Sequence, residues 1–586
     1  MGGQVSHVCP RTCCSSYCVR RGTLQYESVD VLGREPAMEA DFPTLCMTMT
    51  RFLRLELMLP HEEVVEKLIE PADDAIVHFV SHEWLGFDHP DPAGTQLRCM
   101  QTIFTNFLEG KAKSLFKEAD WEAFLKGVSA GTSQALRESE AHMAGRERRT
   151  AHDLMNHVKA GCVWLDYHSI PQACKDEIFI KAVQGIPSYV ERSDYFWICA
   201  PPGVHADLQE PRNYSTWRSR GWCRLEETTN FLSRRLTMPL VVTDQPYLST
   251  FGFLDGLHAY YGRPERSVFN GCFTCCQRDH QLQEKDGSFV TIPCDKDAIA
   301  PVLRQMFENF LAVPSAVHKF RANAARNVAQ VIFAGYPSEY EKWQPNPNET
   351  LEQCLARLEF TSVDGVDSLG WGPMLWFAQL ADMKLVRELA HLRPNSLTDR
   401  PSHGLTVLTR SAHLPHGRYR ELLSLYPEDI RESFVNIASD SGYTAVDRAA
   451  KYGFVENLRL LIETKAQIEV RRQDSGASPL LSAASSKYPR CVQVLLEARA
   501  DINARDLQGR SALHLAADPL CVIGNTDENV VLEVLEILLE ARANVHQGDN
   551  LHRTPLDVAV ELKMSKAGRD LLKAAAAKTA APEQAT

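Results

Sequence analysis

Four short stretches in the C-terminal third are alike: GYTAVDRAA at 442–450, GASPLLSAA at 476–484, GRSALHLAA at 509–517 and HRTPLDVAV at 552–560. Each places a hydroxyl residue (Thr444, Ser478, Ser511, Thr554) just ahead of a run of small and apolar residues. Thr444 and Ser478 are 34 residues apart, Ser478 and Ser511 are 33 apart, and Ser511 and Thr554 are 43 apart. The long interval is one period plus an insertion, DPLCVIGNTDEN at 518–529. A second apolar helix follows each motif, as in VQVLLEARADINARD (492–506) and LEVLEILLEARANVHQGD (532–549). Self-similarity at a fixed period means one supersecondary unit stacked on copies of itself. The hydroxyl can cap the first helix, because its oxygen accepts an otherwise unpaired backbone N–H. The small alanines let helices approach closely, and the leucines of the second helix bury against the next unit.

Motif and period together resemble the ankyrin repeat, a turn followed by two helices with a T-P-L-H-x-A signature. GPMLWFA at 372–378 resembles an earlier, degenerate unit, and residues 400–435 are expected to hold another. The resemblance implies an all-α solenoid of five or six repeats over 369–576, with a disordered tail over 577–586. It also implies a protein partner on the concave face. The alternative is that the repeats only scaffold the N-terminal domain.

That domain, expected over 36–335, reads as α/β. AIVHFVSHEW (75–84), GCVWLDYHSIPQ (161–172), YFWICAPP (195–202) and MPLVVTD (238–244) are short apolar runs suited to strands. Ile178, Ala182, Ile186 and Val190 form a helical stripe between the second and third. Strands alternating with helices predict a parallel sheet, which binds ligands at the carboxyl ends of its strands. Those ends carry Ser81, His82, Glu83, Trp84, Asp166 and Tyr167.

The order FVSHEW, VWLDYHSIPQ, IPSYVERSDYFWICAPP, SRGWCRLEE resembles a Toll/interleukin-1 receptor (TIR) domain over 75–245, with a charged helical insertion near 110–155. The resemblance implies a flavodoxin-like parallel sheet. Many TIR domains only self-associate as adaptors, which implies a TIR–TIR homo-oligomer. Many others cleave NAD⁺ at its nicotinamide–ribose bond, and the family's catalytic glutamate falls at Glu226 of Trp222-Cys223-Arg224-Leu225-Glu226. A carboxylate there would stabilise the oxocarbenium character of the ribose. Ser81, Trp84, Asp166, Trp222 and Arg224 are the expected NAD⁺ contacts: Trp84 or Trp222 to stack on a flat ring, and Arg224, Arg218 or Arg220 to face pyrophosphate. Against this, Trp222 and Cys223 could be core, and Arg224 could pair with Glu226 or Glu227. A nucleotide-binding relic with only structural roles is a third reading. No G-x-G-x-x-G occurs, which argues against a dehydrogenase, and without G-x-S-x-G or H-E-x-x-H the serine-hydrolase and zincin readings have no support.

NGCFTCCQRDH (270–280) precedes KDGSFVTIPCDKD (285–297), a cysteine-rich hairpin over 270–297. Cys272, Cys275 or Cys276, His280 and Cys294 could supply four zinc ligands, the leading set being Cys272, Cys275, His280 and Cys294. Free buried cysteines beside a hairpin are the alternative. No cofactor is required by the scaffold reading. Residues 336–368 are expected to be a linker, because GYPSEYEKWQPNPNET (335–350) is rich in proline and polar residues.

Residues 1–35 read as an acylatable disordered leader. Gly2 and Ser6 fit the M-G-x-x-x-[ST] myristoylation pattern, and Cys9, Cys13, Cys14 and Cys18 lie close behind. One acyl chain binds membranes only marginally, so S-acylation of these cysteines is the expected second signal. Unmodified thiols and a small metal knuckle are the competing readings. The chain has 586 residues and a net charge of −12, which disfavours nucleic acid as a partner. Its 17 cysteines are too sparse for a disulfide scaffold. A cytoplasmic protein is expected, tethered to the cytosolic face of a membrane where its leader is acylated.

Overall fold

The computed structural model describes residues 40–126, 150–172, 177–233, 237–251, 263–283, 288–312, 325–326, 328–343, 346, 348–367, 370–379, 382–400, 404–520, 524–525 and 527–580. The leader, with Gly2, Cys9, Cys13, Cys14 and Cys18, lies outside them, as does the centre of the charged insertion (127–149).

A six-stranded sheet forms from the predicted apolar runs. Its spatial order is Met47–Thr48, Cys162–Trp164, Val77–His82, Tyr195–Cys199, Leu240–Val242, Ser249–Thr250. The four inner strands are parallel, and the two edge strands run antiparallel to them. The parallel strands therefore stand in the order second, first, third, fourth, as in doubly wound sheets. Each of these four strands is buried along its whole length, the reason its sequence is a continuous apolar run rather than an alternation.

Alternation instead assigns residues to the two covered faces. Val80, Val163, Leu165, Tyr195 and Trp197 pack under the helices Thr95–Leu108 and Ala151–Ala160, against Leu97, Met100, Phe104, Leu154 and Val158. Val77, Phe79, Trp164, Phe196 and Ile198 pack on the other face against Ala182, Ile186, Tyr189, Val190 and Cys223. The stripe expected as one helix is two, Glu177–Gln184 and Ile186–Arg192, and Ile178 is exposed. Thr150 starts the helix after the insertion with a capping box to Asp153.

The C-terminal region is an all-α solenoid. Six helix pairs are described, beginning at Pro373, Val407, Ala445, Pro479, Ala512 and Pro555. Thr444, Ser478 and Thr554 accept the backbone N–H of Asp447, Leu481 and Asp557, and Ser511 forms a capping box with His514. Successive turns are stitched by matching backbone bonds: Gln473 N–H to Ser441 O at 3.0 Å, Leu507 N–H to Ser475 O at 2.9 Å and Asn550 N–H to Gln508 O at 2.9 Å. Gly442 adopts φ 84°, and a Cβ there would lie 2.9 Å from the Arg471 carbonyl, so the turn requires glycine.

Two expected boundaries differ. The stretch taken as a linker carries helices at Pro337–Tyr340 and Leu351–Arg357. The last helix, Lys566–Ala580, runs past the expected start of the tail because its alanine-rich sequence propagates helix well. One hydrophobic core extends from Leu225 and Phe231 through Phe307 and Phe333 into the repeats as far as Leu572. All described residues belong to one compact unit.

Candidate functional site

The site lies at the carboxyl ends of the parallel strands. Ser81 and His82 end the strand Val77–His82, and Asp166 follows the strand Cys162–Trp164. The helix Gly221–Leu232 brings Glu226 to the same place. Glu226 is only 7 % exposed, and the Ser81 hydroxyl donates a hydrogen bond to it. Trp217 Nε1–H in turn donates to Ser81 Oγ at 3.0 Å. Burial pushes the Glu226 carboxyl up to about 8, with the Asp166 charge adding to the rise and Ser81 and His82 opposing it.

His82 points to the opposite face of the sheet. Its Nε2 lies 2.7 Å from Asp166 Oδ1, and its Nδ1 lies 2.8 Å from Gln96 Oε1. Gln96 donates its amide N–H to the Glu83 carbonyl at 2.8 Å, which leaves its oxygen facing His82. Both ring nitrogens thus face acceptors, and only the imidazolium can donate to both. Burial opposes that cation, but Asp166, Gln96 and Glu226 outweigh it and lift His82 to about 9. Asp166 also accepts Trp84 Nε1–H at 2.9 Å. Its carboxyl is held below the usual range because His82 and these bonds outweigh burial. Trp84 and Asp166 are half-buried and form the open side of the cluster.

Glu83 is buried beneath, accepting Thr216 Oγ1–H at 2.5 Å and pairing with Arg212 at 3.2 Å. Arg220 approaches the same carboxylate at 3.9 Å.

The structure thus gathers Ser81, Trp84, Asp166 and Glu226, and gives Trp222 and Arg224 partners elsewhere. Trp222 Nε1–H donates to Asp295 at 2.9 Å, and its ring meets Phe273 edge-on, so it sits between two cores. Arg224 donates to the backbone carbonyls of Arg218, Glu265 and Ser267 at 2.7–2.8 Å. Both expected contacts are corrected on that ground: the motif that carries Glu226 offered them, but Asp295 and Phe273 hold Trp222, and the carbonyls of Arg218, Glu265 and Ser267 hold Arg224. Gln96 and Trp217 were missed. Neither belongs to a motif, and each reaches the site only through the packing of its helix.

The cysteine cluster also differs from the leading set. Cys275, Cys276, His280 and Cys294 offer ligand atoms that all lie within 4.8 Å of one another. Cys272 is exposed and outside this group; its backbone instead bonds Ser219 O at 2.7 Å and the Gly221 N–H at 3.0 Å. The short helix Thr274–Gln277 turns Cys276, not Cys272, toward Cys294.

The repeats touch the α/β region directly. Arg263 donates to the Tyr452 carbonyl, and its guanidinium lies over the Phe454 and Tyr488 rings. Lys117 pairs with Asp518 at 2.7 Å, and Arg218 donates to Gly524 O at 2.8 Å. Leu520 packs against the core that holds Tyr214 and Trp217. The insertion that lengthens one repeat period is therefore a contact with the strand-end region.

Residues 420–506 match the family model "Ankyrin repeats (3 copies)", and residues 508–550 match "Ankyrin repeat". Over 124 residues the chain is 32% identical to neurogenic locus notch homolog protein 1 of Xenopus tropicalis, covering 21% of this chain and 4% of that protein. Over 128 residues it is 34% identical to inversin of Canis lupus familiaris, covering 22% and 11%. The ankyrin repeat domain of Bcl-3 aligns at a TM-score of 0.30 and 23% identity, over 42% of this chain and 97% of that one. The chain thus spans a small part of the curated relatives it matches. Residues 420–550 are ankyrin repeats, a class of protein-binding scaffold.

Proposed function

We propose that the chain is a signalling scaffold: the ankyrin repeats hold a protein partner, and the N-terminal domain, TIR-like in its motif order, self-associates or recruits. The observation that supports partner binding is the row of repeat turns. Their tips expose Leu507 (60 %) and Leu551 (70 %), while the helix that follows Leu507, Ala512–Ala517, is buried along its whole length. A partner on the concave side would be gripped at these tips. Acylation of Gly2 and the leader cysteines would tether the scaffold to the cytosolic face of a membrane. Sedimentation of the full chain across a concentration series tests self-association; a mass that stays at one chain throughout overturns it.

A second reading, NAD⁺ hydrolysis, is favoured by one arrangement: a buried carboxyl, Glu226, at the strand ends beside Ser81 and the His82–Asp166 pair. NAD⁺ would enter over Trp84 and Asp166, and the Glu226 carboxylate would face the ribose as positive charge develops. Nicotinamide release by the full chain, compared with Glu226→Gln, tests this; equal rates in both proteins reject it.

A further inference from the structure

We infer that Cys275, Cys276, His280 and Cys294 bind one structural zinc ion, and that this ion braces the start of the helix carrying Glu226. In a tetrahedral site with Zn–S bonds of about 2.3 Å, two sulfurs stand about 3.8 Å apart, and a sulfur and an imidazole nitrogen about 3.6 Å apart. Here Cys276 Sγ lies 3.8 Å from Cys275 Sγ, 3.7 Å from Cys294 Sγ and 3.7 Å from His280 Nε2. Three thiolates and one neutral imidazole complete a closed Cys₃His set, the composition of a structural rather than a catalytic zinc.

The local backbone agrees. Asp279 and His280 both adopt left-handed φ, 49° and 57°, a conformation non-glycine residues rarely hold. That turn carries the His280 ring back toward Cys276, and the His280 N–H bonds the Cys275 carbonyl at 2.8 Å. The Asp295 N–H points at Cys275 Sγ at 3.4 Å, the kind of donor that orients a metal-bound sulfur. The two-stranded hairpin Gln281–Gln283 and Phe289–Thr291 exposes Phe289 (64 %) and Val290 (47 %). A two-stranded hairpin whose second strand is exposed throughout is marginal by itself and needs a staple.

The brace follows from neighbouring bonds. Cys294 precedes the helix Asp295–Leu311, and Asp295 accepts Trp222 Nε1–H. Cys272, three residues before Cys275, bonds Ser219 and Gly221 through its backbone. Both links reach the first turn of Gly221–Leu232. Binding releases the thiol protons to solvent, so zinc affinity falls on acidification.

Metal analysis of the purified full chain decides the first part. About one zinc per chain is expected, falling to background in Cys276→Ser and Cys294→Ser and retained in Cys272→Ser. Because a cysteine variant can fail to fold, the wild type is also stripped and titrated with cobalt(II). Thiolate-to-cobalt charge transfer and intense tetrahedral d–d bands are expected. A folded wild-type chain that takes up no zinc and gives no tetrahedral cobalt spectrum overturns the site. So does a Cys276–Cys294 disulfide in protein alkylated without reductant, or equal loss of metal in Cys272→Ser. Hydrogen exchange across 221–232 is expected to quicken when zinc is removed, and unchanged exchange there overturns the bracing role.

Discussion

Ser81 hydrogen-bonds Glu226 across 145 residues of sequence, joining the end of the first parallel strand to the interior of the helix Gly221–Leu232. The bond gives the carboxyl a polar partner inside a buried site, and Trp217 holds the serine in turn. Its consequences are measurable whichever functional reading holds.

Glu226 titrates near 8 when folded, against an ordinary 4.5. An acid whose folded value is raised costs stability as pH climbs from the unfolded value to the folded one. Glu226→Gln keeps an acceptor for Ser81 and removes that cost. The variant should melt higher than wild type, by about 2–4 kcal/mol near pH 8, with the gap closing as pH falls toward 5. Thermal melts across that range check it. If the chain cleaves NAD⁺, wild-type kcat/KM should rise with pH up to about 8, since the carboxylate is the form that stabilises positive charge.

His82 behaves in the opposite sense. Its folded value, about 9, lies above the ordinary 6.5. The stability from its pairing with Asp166 is therefore complete below about pH 6.5 and is lost as pH rises through 9. Asp166→Asn should cost about 3 kcal/mol near pH 6 and much less near pH 10. Chemical denaturation at the two pH values distinguishes this from a uniform packing loss.

The 518–529 insertion should couple the repeats to the strand-end site. Leu520→Asp places a charge against the core containing Tyr214 and Trp217. Amide exchange should quicken across 214–232, while the helix Pro479–Ser485 keeps its protection. Equal loosening everywhere would show general destabilisation instead.

Leu507→Asp with Leu551→Asp should abolish binding of a repeat partner while shifting stability by no more than about 0.5 kcal/mol, because both side chains are exposed. Crosslinking mass spectrometry on the wild-type and double-variant chains, with melts of each, checks both halves of the expectation.

If the leader is acylated as proposed, Gly2→Ala should move the full chain from the membrane to the soluble fraction, because S-acylation of the nearby cysteines would depend on a first, weak myristoyl contact. Incorporation of an alkyne-tagged myristate, lost in the variant, identifies the attachment.

The repeats were legible because ankyrin stacking is local. Thr444, Ser478, Ser511 and Thr554 each cap a helix that starts at the next residue, so motif and period carry the fold directly. The four parallel strands were legible for a related reason: strands buried on both faces must be apolar throughout. The strand-end residues Ser81, Trp84 and Asp166 followed from that reading, and Glu226 followed from a motif.

Other assignments depended on where distant segments meet. Sequence spacing could not choose between Cys272 and Cys276, since the helix Thr274–Gln277 decides which thiol turns toward Cys294. The motif offered Trp222 and Arg224 together with Glu226, but Asp295 holds the Trp222 side chain and the carbonyls of Glu265 and Ser267 hold that of Arg224. Gln96 and Trp217 had no local signature at all. The sequence by itself determined the repeats, the strands and the residue types at the strand ends, because period, capping and burial are encoded within a few tens of residues. Only the tertiary structure decided which side chains share the site, which thiols cluster, and that the repeat insertion reaches the strand-end region, because those are contacts between segments up to several hundred residues apart.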